Sequence, residues 1–219
     1  MPRQFRSPYG APKYADGVAV AASVATLAAL KALDDVGDLV HGNEMLVDAD
    51  GSVWYFHSTS ALTGDNVLVA TPDATAYASA GRWLRKPGRV SLKLAITYAT
   101  ANNAALLTLP TGSAFALDRA FWHVTTGFTG GSSSAIGVSS TTRSTAGDIL
   151  GGASGDVAAT LVAGYKAGTV GTTMDTDVEL HANLFSAGEV FSFNRITSAF
   201  TAGAGYVVLV GDLVANPGA

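Results

Sequence analysis

From residue 89 onward the chain is written in short runs where apolar and polar residues alternate, separated by loops of Gly, Ser and Thr. In VSLKLAITY the residues Val90, Leu92, Leu94, Ile96 and Tyr98 fall at every second position. A period of two places them on one face of a half-buried strand. AFWHVTTGF, VFSFNRIT and GYVVLVGDLV share this texture. In DVELHANLF the pattern assigns Val178, Leu180, Ala182 and Leu184 to one face, and Glu179, His181 and Asn183 to the other. Loops such as GFTGGSSSA and GGASGD supply the turns that antiparallel strands need. Residues 89–219 are therefore expected to form one antiparallel β-sandwich domain.

The earlier part reads differently. In SVATLAALKALDDVGDL, Leu27, Leu30 and Leu33 fall near one side of a short helix, and Asp34-Asp35 with Gly37 supply a stop. EMLVDADGSVWYFHS predicts strand, turn and strand around Asp50-Gly51. NVLVA predicts a further strand, ending at Thr71-Pro72. Strand geometry sends Trp54 and Phe56 to one face and Tyr55 to the other. With Trp83 they predict a small aromatic core, so residues 18–88 read as a small α+β module, to which the resemblance given below adds a docking role. Residues 1–17, MPRQFRSPYGAPKYADG, carry three prolines and show no periodicity, which predicts an extended arm.

Composition narrows the class. Charged residues make up 14% of the 219, against about 25% in an average domain. A surface so poor in charge suits packing against other copies or onto a large assembly, and equally an ordinary β-rich protein with a Ser/Thr surface. No cysteine is present, which excludes disulfides, thiolate metal sites and a Cys nucleophile; it fits a protein matured in a reducing cytoplasm. The longest apolar run, Val18 to Leu30, has 13 residues, short of the roughly 20 a membrane helix needs. Residues 1–14 hold three positive side chains and no negative one, while the remainder holds ten Lys/Arg against seventeen Asp/Glu. Beyond that arm there is no basic stripe for nucleic acid.

Chemistry finds little support. His41, His57, His123 and His181 show no metal-ligand spacing. DADGS lacks the Gly and Glu that a calcium loop needs at its sixth and twelfth positions, where Val53 and Thr59 stand. There is no Gly-Lys-Ser/Thr and no Gly-x-Ser-x-Gly. Asp34/Asp35 and Asp175/Asp177 have no neighbour to tune them apart. No catalytic residue, metal or cofactor is expected. Arg82 and Arg85 are expected either to stack on aromatic faces or to contact an acidic partner, another copy included. An exposed sugar platform built on Trp54, Trp83 or Trp122 is the competing use of the tryptophans.

The order of motifs adds a resemblance. VATLAALKAL, DGSVWYFHSTSAL, NVLVATPDA and GRWLR together resemble a module of tailed-bacteriophage virion proteins, found in head-binding parts of spikes and fibres and in head-surface proteins. The matching positions are Leu27, Leu30, Trp54, Phe56, Pro72, Gly81, Arg82 and Trp83. The Asp-Asp/Gly-Gly element common in that family is represented only by Gly64-Asp65. The second half is similar to phage structural sandwiches in Val124 to Gly131, in Ile136-Gly137-Val138 and in SAFTAGAGYVVLV from Ser198 to Val210. The two likenesses span residues 23 to 214. They imply a non-enzymatic virion protein with a jelly-roll-like sandwich, of the capsid decoration (cement) type. Its implied place is the capsid surface, after synthesis in the host cytoplasm. Its implied partners are the major capsid protein and neighbouring copies, as a homotrimer, with no nucleic acid or membrane. Arg3, Phe5, Arg6 and Tyr9 of the arm, with Arg82 and Arg85, are then the expected partner-binding residues. The alternatives are a tail-associated adapter or short fibre, a glycan-binding sandwich, and a cellular sandwich of unrelated role.

Overall fold

The computed structural model describes residues 14–15, 18–19, 22–33, 39, 41–130, 134–151, 159–168, 183–197 and 199–215. The fold is mainly β, and the chain divides into two compact units, Met1–Lys86 and Pro87–Ala219. No helix among the described residues is long and apolar enough to cross a membrane.

The first unit contains β1 (Tyr14–Ala15), β2 (Val18–Ala19), β3 (Ser23–Val24), α1 (Leu27–Lys31), β4 (Glu44–Val47), β5 (Ser52–His57), β6 (Val69–Ala70) and β7 (Arg82–Arg85). β1 and β2 pair with each other. The remaining strands form one sheet in the order β3-β4-β5-β7-β6, parallel only between β3 and β4. The helix is a single short turn. Thr26 starts it, its Oγ1 accepting the Ala29 N–H at 3.1 Å, and Ala32 caps it right after Lys31. The expected stop at Asp34, Asp35 and Gly37 lies outside the described residues.

The aromatic strand behaves as its alternation requires. Ser52, Trp54 and Phe56 are buried while Val53, Tyr55 and His57 are half-exposed. Trp54, Phe56 and Trp83 join Leu30, Leu33, Leu39 and Val47 in one core. Phe56 meets Trp83 at 5.4 Å and Tyr77 at 5.3 Å between ring centroids, both edge-to-face. Gly81 sits at φ +100°, and a Cβ there would lie 2.6 Å from the Tyr77 ring. That contact explains why glycine precedes Arg82-Trp83. The expected NVLVA strand shrinks to Val69–Ala70 for a visible reason. The Asp65 carboxylate accepts the N–H groups of Val67, Leu68 and Val69, folding that stretch around itself before pairing begins.

The second unit contains β8 (Gly88–Thr97), β9 (Ala104–Thr108), β10 (Ala114–Gly130), β11 (Ala135–Ser140), β12 (Leu150–Gly151), β13 (Gly164–Lys166), β14 (Leu184–Ser186), β15 (Val190–Thr197) and β16 (Phe200–Ala215). Every pairing is antiparallel. The longer sheet runs β13-β10-β16-β8, with β14 on another stretch of β10; the second runs β12-β11-β15-β9. β10 and β16 hold 17 and 16 residues, and register shifts such as those at Leu117/Arg119 and Val124/Thr126 let them follow the sheet's twist. The sheets face each other across an apolar interior, a sandwich-like arrangement. Phe115 of the longer sheet lies 6.4 Å from Phe191 of the second, and Phe185 lies 4.9 Å from Phe191.

β8 follows its alternation closely: Val90, Leu92, Leu94 and Ile96 are buried. Tyr98 is not part of that face. The strand ends at Thr97 in a turn where Thr100 bonds back, leaving Tyr98 exposed. DVELHANLF differs more. Residues 177–182 lie outside the described ones, and at its end Leu184 is exposed while Phe185 is buried. Pairing of β14 on β10 sets Phe185 opposite Phe115, so the larger ring takes the interior and the expected faces are exchanged.

Candidate functional site

Of the residues expected to meet a partner, Arg3, Phe5, Arg6 and Tyr9 lie outside the described residues. Arg82 and Arg85 are described, and the structure encloses both, at 7% and 6% exposure. The Arg82 guanidinium donates to the carbonyls of Leu62, Tyr77 and Gly81 and so ties the 62–81 loop to β7. Arg85 lies over the Trp54 ring at 6.0 Å, donates to the Val67 carbonyl and faces Asp50 at 3.8 Å. Its pKa is lowered by burial, against the opposing charges of Asp50 and Asp65. The relay closes on itself: Trp54 Nε1 donates to Ser52 Oγ, which donates to Asp50. Of the two uses expected for these arginines, ring stacking is the one Arg85 takes, and neither arginine is available to an acidic partner.

The exposed-tryptophan platform is likewise overturned. Trp54, Trp83 and Trp122 are exposed by only 1%, 0% and 1%. Rings this size remove the most apolar area per side chain, so they fill the two interiors.

What Trp122 leaves outside is more informative. On β10 it points inward with Val124, which turns Phe121 and His123 to the outer face of the longer sheet. The register brings two tyrosines beside them. His123 is opposite Tyr165 on β13 and opposite Tyr206 on β16. His123 and Tyr165 are stacked at 4.2 Å with 11° between planes; His123 and Tyr206 lie at 5.9 Å and 26°. Phe121 closes on Tyr165 at 6.0 Å. Close passage of β16 beneath this row depends on Gly205, where a Cβ would run into the His123 carbonyl. His123 Nδ1 is buried and has no hydrogen-bond partner.

The row has two ends. At the β13 edge Tyr165 is 66% exposed. At the other end, across β8, Tyr206 is opposite Ala95, whose methyl adds no ring to the stack. Cations flank it: Lys93 is opposite Val208, itself opposite Phe121, and Arg119 is opposite Val210. Both are exposed, and neither enters an ion pair among the described residues. Further along, Arg89 binds both Asp118 and Asp212, and the hydrogen bond to Asp118 raises its pKa first of all.

This surface can stack planar or ring-shaped groups and attract negative charge. No group of three or more His, Asp or Glu positioned to hold a metal occurs among the described residues. The signal for Phe121 and His123 was present in AFWHV, where period two opposes them to the tryptophan. Tyr165 and Tyr206 join them only through strand register, which no local pattern states. No known family model matches the chain, and no curated protein or solved structure matches it either.

Proposed function

We propose that this chain is a non-enzymatic structural protein of a tailed-bacteriophage particle, a cement protein that binds the outer capsid surface and stabilises the shell. One structural observation supports the reading, the strand order of the second unit. Taking β13 and β14 as two pieces of one edge strand, the unit has eight strands in chain order. The longer sheet then runs first, eighth, third, sixth, and the other runs second, seventh, fourth, fifth. Two nested Greek keys produce this interleaving, the wiring of the jelly roll, which is a recurrent capsid architecture. Jelly rolls also serve lectins and enzymes, so the wiring alone does not assign a role. The sequence motifs that resemble phage virion modules turn the reading toward the particle.

In this account the first unit docks on the shell and the sandwich makes a homotrimer that faces outward. The arm, through Arg3, Phe5, Arg6 and Tyr9, reaches the major capsid protein or a neighbouring copy. A low-charge surface packs closely, and many copies turn modest contacts into avidity. Particles assembled without the chain test the reading. They are expected to release DNA at a lower temperature than complete particles, and added purified protein should restore the difference. Equal release temperatures would refute it.

A further inference from the structure

We propose that the outer face of the longer sheet binds an acidic polysaccharide, its sugar rings stacking on the ends of the Tyr206–His123–Tyr165 row and its carboxylates meeting Lys93 and Arg119. The inference stands apart from the particle assignment and does not rest on it. Three observations lead to it.

The first is the stack. Strands lie about 4.8 Å apart and same-face residues about 6.8 Å apart along a strand. On that lattice three rings stand side by side, one per strand, with their faces toward each other. The free faces are then those at the ends, at exposed Tyr165 and beside Ala95. A pyranose presents one face of C–H groups, which packs on an aromatic ring as an apolar surface does.

The second is charge. Lys93 stands one strand across and two residues along from Tyr206, within reach of a group seated on that ring. With Arg119 it supplies two cations that no carboxylate among the described residues neutralises. Among the described residues, the carboxylates on this face, Asp118 and Asp212, are both held by Arg89. Next to the rings the face is therefore positive, although residues 87–219 as a whole hold six Lys/Arg against eight Asp/Glu.

The third is what this pattern disfavours. Two spaced cations on an acidic unit are too few for a phosphate backbone, whose binding depends on neutralising several charges at once. A second copy docked about a two-fold axis passing beside Lys93 or Arg119 would bring like charges together. A polymer with one carboxylate per sugar matches both the rings and the sparse charge.

The test is calorimetric titration of the full chain with hexagalacturonate, with maltohexaose as the neutral comparison. Hexagalacturonate should bind at least tenfold more tightly than maltohexaose, and more weakly as sodium chloride rises from about 50 to about 500 mM. Tyr165→Ala should weaken binding about tenfold, the worth of one lost stacking contact, and Tyr165→Phe should retain it. The double variant Lys93→Gln, Arg119→Gln should remove the preference for the acidic sugar. Thermal melts of each variant establish that it is folded. Absence of binding, or binding unchanged by Tyr165→Ala, would overturn the proposal. So would tighter binding of oligo-dT at the same residues, or a change in oligomeric state caused by Tyr165→Ala in the absence of sugar.

Discussion

Phe191 holds the two sheets of the second unit together, and replacing it with alanine is the sharpest test of that packing. The ring is fully buried on β15, between Phe185 at 4.9 Å and Phe115 at 6.4 Å. Phe→Ala truncation in a core removes transfer energy and leaves a cavity, together about 3–5 kcal/mol. Domains of this kind are stable by about 5–15 kcal/mol, so at a mid-range value of about 10 kcal/mol the variant should still fold while losing about a third to a half of that margin. Hydrogen exchange read by mass spectrometry separates the units without dividing the chain. The slowest amides of β8, β10, β15 and β16 exchange only when the sandwich opens as a whole. In Phe191→Ala they should speed up together by roughly 10²–10⁴-fold, while those of β5 and β7 keep their rates. Phe191→Leu should cost far less, because it keeps most of the volume. A change below tenfold, or opening confined to β15 alone, would show that the aromatic contacts do not couple the sheets.

Three further outcomes follow from particular contacts. Ser52→Ala should destabilise the first unit by about 1–3 kcal/mol, since it leaves Trp54 Nε1 buried with no acceptor; exchange of β5 and β7 amides measures it. Glu189 is buried, which pushes its pKa up, yet hydrogen bonds from Ser140 and Thr142 and the charge of Arg143 outweigh that and hold it below the usual 4.5. A depressed carboxylate stabilises the fold above its unfolded pKa and loses that contribution as pH falls through the lower folded value. Melting temperature should therefore drop below about pH 4.5, and drop less steeply in Glu189→Gln, which a series of melts from about pH 3 to pH 7 reads. Deleting residues 1–17 should weaken particle binding while leaving both units folded, as a co-sedimentation assay and circular dichroism would show; undiminished binding would remove the arm from the account.

Much of the architecture was legible because its signals are local. β8 declares its buried face through Val90, Leu92, Leu94 and Ile96, and β5 through Trp54 and Phe56, since pleat alone decides which side chains share a face. The failures come where partners distant in sequence decide. Leu184 and Phe185 compete for the same interior, and the register of β14 against β10 gives it to the ring. Val67 and Leu68 look like strand residues, but the Asp65 carboxylate claims their N–H groups. For Arg82 and Arg85 the sequence left ring stacking and an acidic partner both open, because nothing in GRWLR states that loop carbonyls and an aspartate will enclose them beside the Trp54 ring. The aromatic row was half visible: alternation opposes Phe121 and His123 to Trp122, but only pairing brings Tyr165 and Tyr206 alongside.

The central claim concerns where the protein works, and the number of copies per purified particle tests it most directly. Quantitative mass spectrometry against the major capsid protein supplies that number. The account predicts hundreds of copies in a fixed ratio to the shell protein. A handful would move the chain to the tail or a unique vertex, and absence from the particle would contradict the account outright.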